Sequence, residues 1–125
     1  MFPVGQPRPD AEYEPHQHVP SQRGAVLDPV QLEAAARFFR AAGDAARLRI
    51  LAELRAGERC VSEIAAASSD ELSTVSQRLK VLHGEGLIRR RRDGKHILYR
   101  LSDAHVHALI DTALAHAEEH IAARR

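Results

Sequence analysis

Four of the eight histidines fall near the C-terminal end of the chain: His105, His107, His116 and His120. Histidine is the commonest metal ligand among side chains. Carboxylates stand beside these rings, Asp103 just before His105 and Glu119 just after His116. If the stretch is one helix, the 11 positions from His105 to His116 leave both rings on one face, within about 20°. The same step separates them by roughly 16 Å along the axis. A Zn(II) ion needs every ligand within about 2.0–2.3 Å of itself. One straight helix therefore cannot close a site with both histidines, but two copies packed antiparallel can. Asp103 and His105 of one copy then meet His116 and Glu119 of the other. His116 and Glu119 share a face at i, i+3. Asp103 and His105 lie in a first turn, where capping geometry can turn both inward. Twofold symmetry gives two equivalent Asp/His/His/Glu sites, a donor set that suits tetrahedral Zn(II). Taken singly, each residue is a plain surface residue of an amphipathic helix; the joint spacing is what favours metal.

A second constellation is cationic. The net charge is only +1, but Leu72–Leu101 holds eight basic residues against two acidic ones, net +6, so the remainder sums to −5. A near-neutral chain that concentrates its positive field in one segment carries the electrostatic footprint of a nucleic-acid surface. Within that segment, Ser73, Thr74, Ser76 and Gln77 are side chains that can read base edges. Arg78 and Lys80 can meet guanine or phosphate, and the run Arg89–Arg92 with Lys95 suits phosphate or minor-groove contact.

These residues need elements to hold them. At 125 residues the chain is expected to form one domain. Hydrophobic residues make up 44%, enough for a folded core. No apolar run approaches the ~20 residues of a membrane span. Residues 1–27 are rich in proline, glutamine and charge without periodicity, and read as a flexible arm rather than a secretory signal. The single cysteine rules out an intrachain disulfide framework and fits a reducing, cytoplasmic setting. Residues 28–123 form the domain. Asp28-Pro29-Val30-Gln31 is a helix start, and that helix runs to Ala42, with Leu32, Ala35, Ala36 and Phe39 on its apolar side. A second helix is expected over Ala45–Arg55 and a third over Ser62–Ala67 with Ser62 as its cap. A fourth, Glu71–His83, carries the apolar stripe Leu72, Val75, Leu79, Leu82. Leu87–Arg92 and His96–Leu101 flank Asp93-Gly94, a strong hairpin signal. Ser102 caps a last helix, Asp103–Ala122.

The resulting fold class is mostly α with one β-hairpin: a winged helix-turn-helix, homodimeric through its terminal helices. The fourth helix fits a major groove. The expected DNA contacts are Ser73, Thr74, Ser76, Gln77, Arg78 and Lys80 on that helix and Arg90, Arg91, Arg92 and Lys95 on the hairpin. Strand alternation lets only about half of the arginine run face DNA.

The sequence resembles the ArsR/SmtB-type bacterial metal-sensing repressors over Leu32–His120. Its most specific segments are Asp44–Leu54, Cys60–Ala65, Ser73–Leu79, Asp93–Leu101 and Asp103–Glu119. Asp103, His105, His116 and Glu119 fall without gaps on that family's interhelical metal motif. The resemblance implies a homodimer that binds double-stranded operator DNA when metal-free and lets go when Zn(II) or Co(II) binds. His107, His120 and the arm leave Ni(II) open. Two departures stand out. Gln77-Arg78 occupies the place where many relatives have His-Gln, so operator sequence does not carry over. Cys60 is followed by Val61-Ser62, without the second thiol of the arsenic and cadmium sensors. Relatives with a second metal site combine this region with the arm, so Cys60, Glu63, His16 and His18 form a candidate second site.

An alternative is the same fold sensing redox state through Cys60. An enzyme is not expected: there is no His-Glu-x-x-His, no Gly-x-Ser-x-Gly and no phosphate-binding glycine loop. A site closed by four ligands between two helices leaves little room for a small-molecule substrate, and none is expected. A metal-storage module would have no use for the Arg89–Arg92 run. No membrane partner is expected.

Overall fold

The computed structural model describes residues 26–124. Helix α1 spans Pro29–Ala42; Asp28 caps it, its carboxylate accepting the Val30 N–H at 2.9 Å, with Pro29 in the first turn. Helix α2 spans Ala45–Glu53 and is capped by Asp44, which accepts the Arg47 N–H at 3.0 Å. The expected last turn of α2 tightens into a 3₁₀ turn, Leu54–Ala56. Gly57 then turns the chain at φ 134°, ψ −174°, a region open essentially to glycine alone.

Strand β1, Arg59–Cys60, is too short for a periodicity to reveal and was not expected. Helix α3 spans Val61–Ser68, starting earlier than the sequence pattern places it. Its cap is Cys60, not Ser62: Glu63 reaches back and accepts the Cys60 N–H at 2.9 Å. A turn through Ser69, φ 59°, leads to helix α4, Leu72–Gly84. The hairpin follows, β2 over Ile88–Asp93 and β3 over His96–Leu101, in a sheet of order β1-β3-β2. Asp93 pairs with His96, so the loop is Gly94-Lys95 rather than Asp93-Gly94. Gly94 takes φ 63° at the first loop position, where mirror-image hairpin turns need a positive φ.

Helix α5 spans Ala104–Ala123 and is capped by Asp103, which accepts the Val106 N–H at 3.0 Å. Ser102, the expected cap, is buried instead and gives its N–H to the Leu87 carbonyl at 3.0 Å.

The core joins α2, α3, α4 and the sheet. Leu51, Ile64, Val75, Leu79, Leu82, Leu87 and Ile88 are its fully buried members. The α4 stripe is buried at Val75, Leu79 and Leu82, while Leu72 at the helix start is exposed. Helix α5 buries Val106 and Ile110 in it and packs Leu114 against its edge. The expected apolar side of α1 stays largely out of this core: Leu32 is 57% exposed and Phe39 62%. Helix α1 packs instead through Ala41, Ala42 and Phe38. Among the described residues, no helix is long and apolar enough to cross a membrane.

Candidate nucleic-acid interface and metal-ligand helix

Helix α4 is anchored by Val75, Leu79 and Leu82, which leaves its opposite side to solvent. Ser73, Ser76, Gln77 and Lys80 are exposed there, and Thr74 is half-buried at the edge. Arg78 is not on this stripe. At about 100° per residue, the step from Ser73 to Arg78 turns it roughly 140° away. Its guanidinium instead meets the Asp70 carboxylate at 2.8 Å in a half-buried pair. The Ser68 hydroxyl and the Arg78 guanidinium hold the Asp70 carboxyl below the usual aspartate range. Arg78 thus ties the α3–α4 turn to the middle of α4.

The register of the wing sorts its arginines. Arg90 lies opposite Tyr99 and Arg92 opposite Ile97, while Arg89 and Arg91 lie opposite Arg100 and Leu98. Directly opposed residues share a face, so Arg90 and Arg92 project from one side and Arg89 and Arg91 from the other. Arg91 is bidentate to Glu58, with contacts of 2.8 and 2.9 Å. This guanidinium is what lowers the Glu58 carboxyl below its usual range, and the carboxylate raises Arg91 in return. Lys95 sits exposed at the tip. Sequence reasoning passed over Glu58 and Asp70, the two carboxylates that hold Arg91 and Arg78. An acidic residue in a connector just before a helix or strand of opposite charge was the available signal.

The four candidate ligands of the interhelical site are all on or beside α5. The Asp103 carboxylate caps the helix and stands 3.8 Å from His105 Nδ1. The His105 ring is 96% exposed. His116 and His120 lie one turn apart with rings stacked, centroids 6.3 Å apart and planes at 12°; Glu119 beside them is exposed. His107 is committed elsewhere, its Nδ1 3.1 Å from Asp111 Oδ2. Asp111 also receives Arg55 at 2.8 Å, and the Arg55 contact holds its carboxyl low. Among the described residues of one chain, no three His, Cys, Asp or Glu side chains are grouped closely enough to hold a metal ion. A straight helix with this spacing leads to that result.

Cys60 is half-buried, its Sγ 3.1 Å from the Ser62 hydroxyl. Glu63 is engaged by the Cys60 backbone N–H, which holds its carboxyl low. His16 and His18 lie outside the described residues.

A helix pair, α3 and α4, followed by an antiparallel hairpin defines a winged helix-turn-helix. Residues 44–90 match the family model described as bacterial regulatory protein, arsR family. The transcriptional repressor SmtB of Mycobacterium tuberculosis (strain H37Rv) is 39% identical over 88 residues, covering 70% of this chain and 65% of that repressor. The match thus spans somewhat under two-thirds of that relative's length. The SmtB homolog of Synechocystis is 36% identical over 94 residues, 75% of this chain and 71% of that protein. Among solved structures, the homodimeric winged helix-turn-helix DNA-binding domain of Mb0332 from Mycobacterium bovis is similar, with a TM-score of 0.72 and 34% identity, covering 78% of this chain and 93% of that one. The chain belongs to the arsR family, whose members are DNA-binding transcription regulators and not enzymes.

Proposed function

We propose that this protein is a metal-responsive repressor. As a metal-free homodimer it binds operator DNA through α4 and the wing, and Zn(II) binding between paired α5 helices releases it. One observation carries the reading: α5 bears two half-sets of ligands near its ends, Asp103/His105 and His116/Glu119, and within one chain neither half-set is completed. The same helix leaves Leu109 exposed in a groove it shares with Phe39 of α1, and leaves Ile121 exposed nearer its end, so a second copy has apolar surface on which to dock. Asp103 and His105 of one protomer and His116 and Glu119 of its partner would hold the ion. The chemistry it supplies is a cross-link between two helices through neutral imidazoles and carboxylates. The ligand set also admits Co(II) or Ni(II). The sign of the response, release rather than recruitment, rests on the resemblance to metal-sensing repressors. Couplings between such sites are typically about 1–3 kcal/mol, or roughly 5- to 150-fold in affinity.

The DNA contacts of this reading are Ser73, Thr74, Ser76, Gln77 and Lys80 on α4, with Arg90, Arg92 and Lys95 on the wing. Arg78 and Arg91 act by holding the turn and the wing in place, and reach DNA only by leaving Asp70 and Glu58. The test is binding of metal-free protein to the DNA upstream of its own gene, with and without one equivalent of Zn(II) per chain at fixed salt. Zinc should weaken binding about fivefold or more, and His105→Ala or His116→Ala should abolish that response. Unchanged binding in zinc would sink the metal reading and leave the DNA reading standing.

A further inference from the structure

Counted along the sequence, Asp28–Glu71 is net negative and contributes nothing to the positive field. Folding redraws that map. Arg37 and Arg40 from α1, Arg47 from α2 and Lys80 from α4 line one open cleft of about 480 Å³. Gly84, one turn beyond Lys80, lies on the same cleft. The exposed stripe of α4 that starts at Ser73 and continues through Gln77 and Lys80 therefore runs directly into it.

The cleft is built rather than incidental. Arg47 donates from Nε to the Ala41 carbonyl at 2.7 Å and from its guanidinium to the Arg40 carbonyl at 3.2 Å. It thereby satisfies the C-terminal carbonyls of α1 and fixes a positive charge at the base of the cleft. Arg37 meets Glu85 only loosely, at 3.7 Å, and Arg40 meets Glu33 in a solvent-exposed pair. Exposed pairs of this kind are weak and yield readily to a stronger anion. Lys80 has no ion-pair partner among the described residues.

We propose that Arg37 and Arg40, with Lys80 and supported by Arg47, form a second phosphate-contact patch that grips the DNA backbone beside the groove that α4 reads. The inference rests on α4 being the DNA-facing helix. Its ligand is a phosphodiester, and the patch carries affinity without base specificity.

The test uses full-length, metal-free protein and one duplex, measuring affinity across a range of salt concentrations. Each lost phosphate contact lowers the slope of log affinity against log salt by about 0.9. The double variant Arg37→Gln/Arg40→Gln should therefore bind more weakly, with a slope shallower by roughly 1.8, on specific and unrelated duplexes alike. Arg37→Lys/Arg40→Lys should restore most of the slope. Affinity and slope both unchanged in the glutamine variant would overturn the proposal. So would weaker binding with an unchanged slope, which would mark a structural role. In a second arm, inorganic phosphate is titrated into protein without DNA. Saturable binding lost in the glutamine variant, with an unaltered DNA slope, would assign the cleft to free phosphate and overturn the proposal. Wild-type binding in the same series reports on the DNA reading by itself, so the two can fail separately.

Discussion

Asp70 and Arg78 illustrate what a single pair can decide. The Ser68 hydroxyl and Arg78 depress the folded-state Asp70 carboxyl below its ordinary value of 3.8. A depressed carboxyl stabilises the fold fully above its unfolded value and loses that contribution as pH falls through the folded value. Asp70→Asn should therefore melt at a lower temperature than wild type near pH 6. The gap should close as the pH is taken below about 3.8. A gap that stays constant across this range would remove the ion pair as its cause. Cys60 and Glu63 sit together at the start of α3, and with His16 and His18 they compose a proposed second metal site. A Co(II) titration should then raise a thiolate charge-transfer band that Cys60→Ser abolishes; absence of the band rules the site out.

At the scale of elements, the start of α5 carries two duties on one side chain. Asp103 caps the helix through Val106 N–H and is also a proposed metal ligand. The two duties separate by substitution. Asp103→Ala should lower the stability of metal-free protein by about 0.5–2 kcal/mol, the usual loss for an acidic or polar N-cap. Asp103→Asn, an equally good cap, should keep the metal-free stability but weaken the zinc response for want of a carboxylate. Urea denaturation in chelator, set beside DNA release by zinc, checks both. If Asp103→Asn responds to zinc like wild type, Asp103 is a cap alone. Helices α1 to α5 were legible in order and approximate extent because apolar spacing and turn residues are local signals: the Asp28-Pro29 start and the Val75/Leu79/Leu82 stripe read correctly, whereas α3 and α5 are capped by Cys60 and Asp103 rather than by Ser62 and Ser102. β1 was not legible, because two residues become a strand only when β3 arrives to pair with them.

At the scale of the whole molecule, the uncovered apolar residues are the informative ones. Phe39 on α1 and Leu109 on α5 line a common groove with Phe38, Leu48, Ile110 and Ala113, and in one chain they are 62% and 44% exposed. In the proposed homodimer a second copy covers this face. Phe39→Asp and Leu109→Asp should each shift sedimentation from dimer to monomer while leaving the far-ultraviolet circular dichroism of the fold intact, since neither residue belongs to the buried core. Both variants should also bind operator DNA more weakly, because a twofold dimer reads two half-sites together. A variant that remains dimeric would move the interface elsewhere.

Legible from the residues alone were the five helices and the hairpin, their winged helix-turn-helix order and the impossibility of one helix closing a site with both His105 and His116. Each of these follows from short-range geometry: helix periodicity, capping chemistry, a hairpin turn and an axial rise. Which cations stand unengaged depends on packing. Arg78 faces Asp70, and Arg91 faces Glu58 from 33 positions away. Arg37, Arg40 and Arg47 leave a net-negative stretch of sequence to join Lys80 in one cleft. Charge adds along the chain without regard to distance, but electrostatic interaction depends on separation in space, and that separation exists only once the helices have packed.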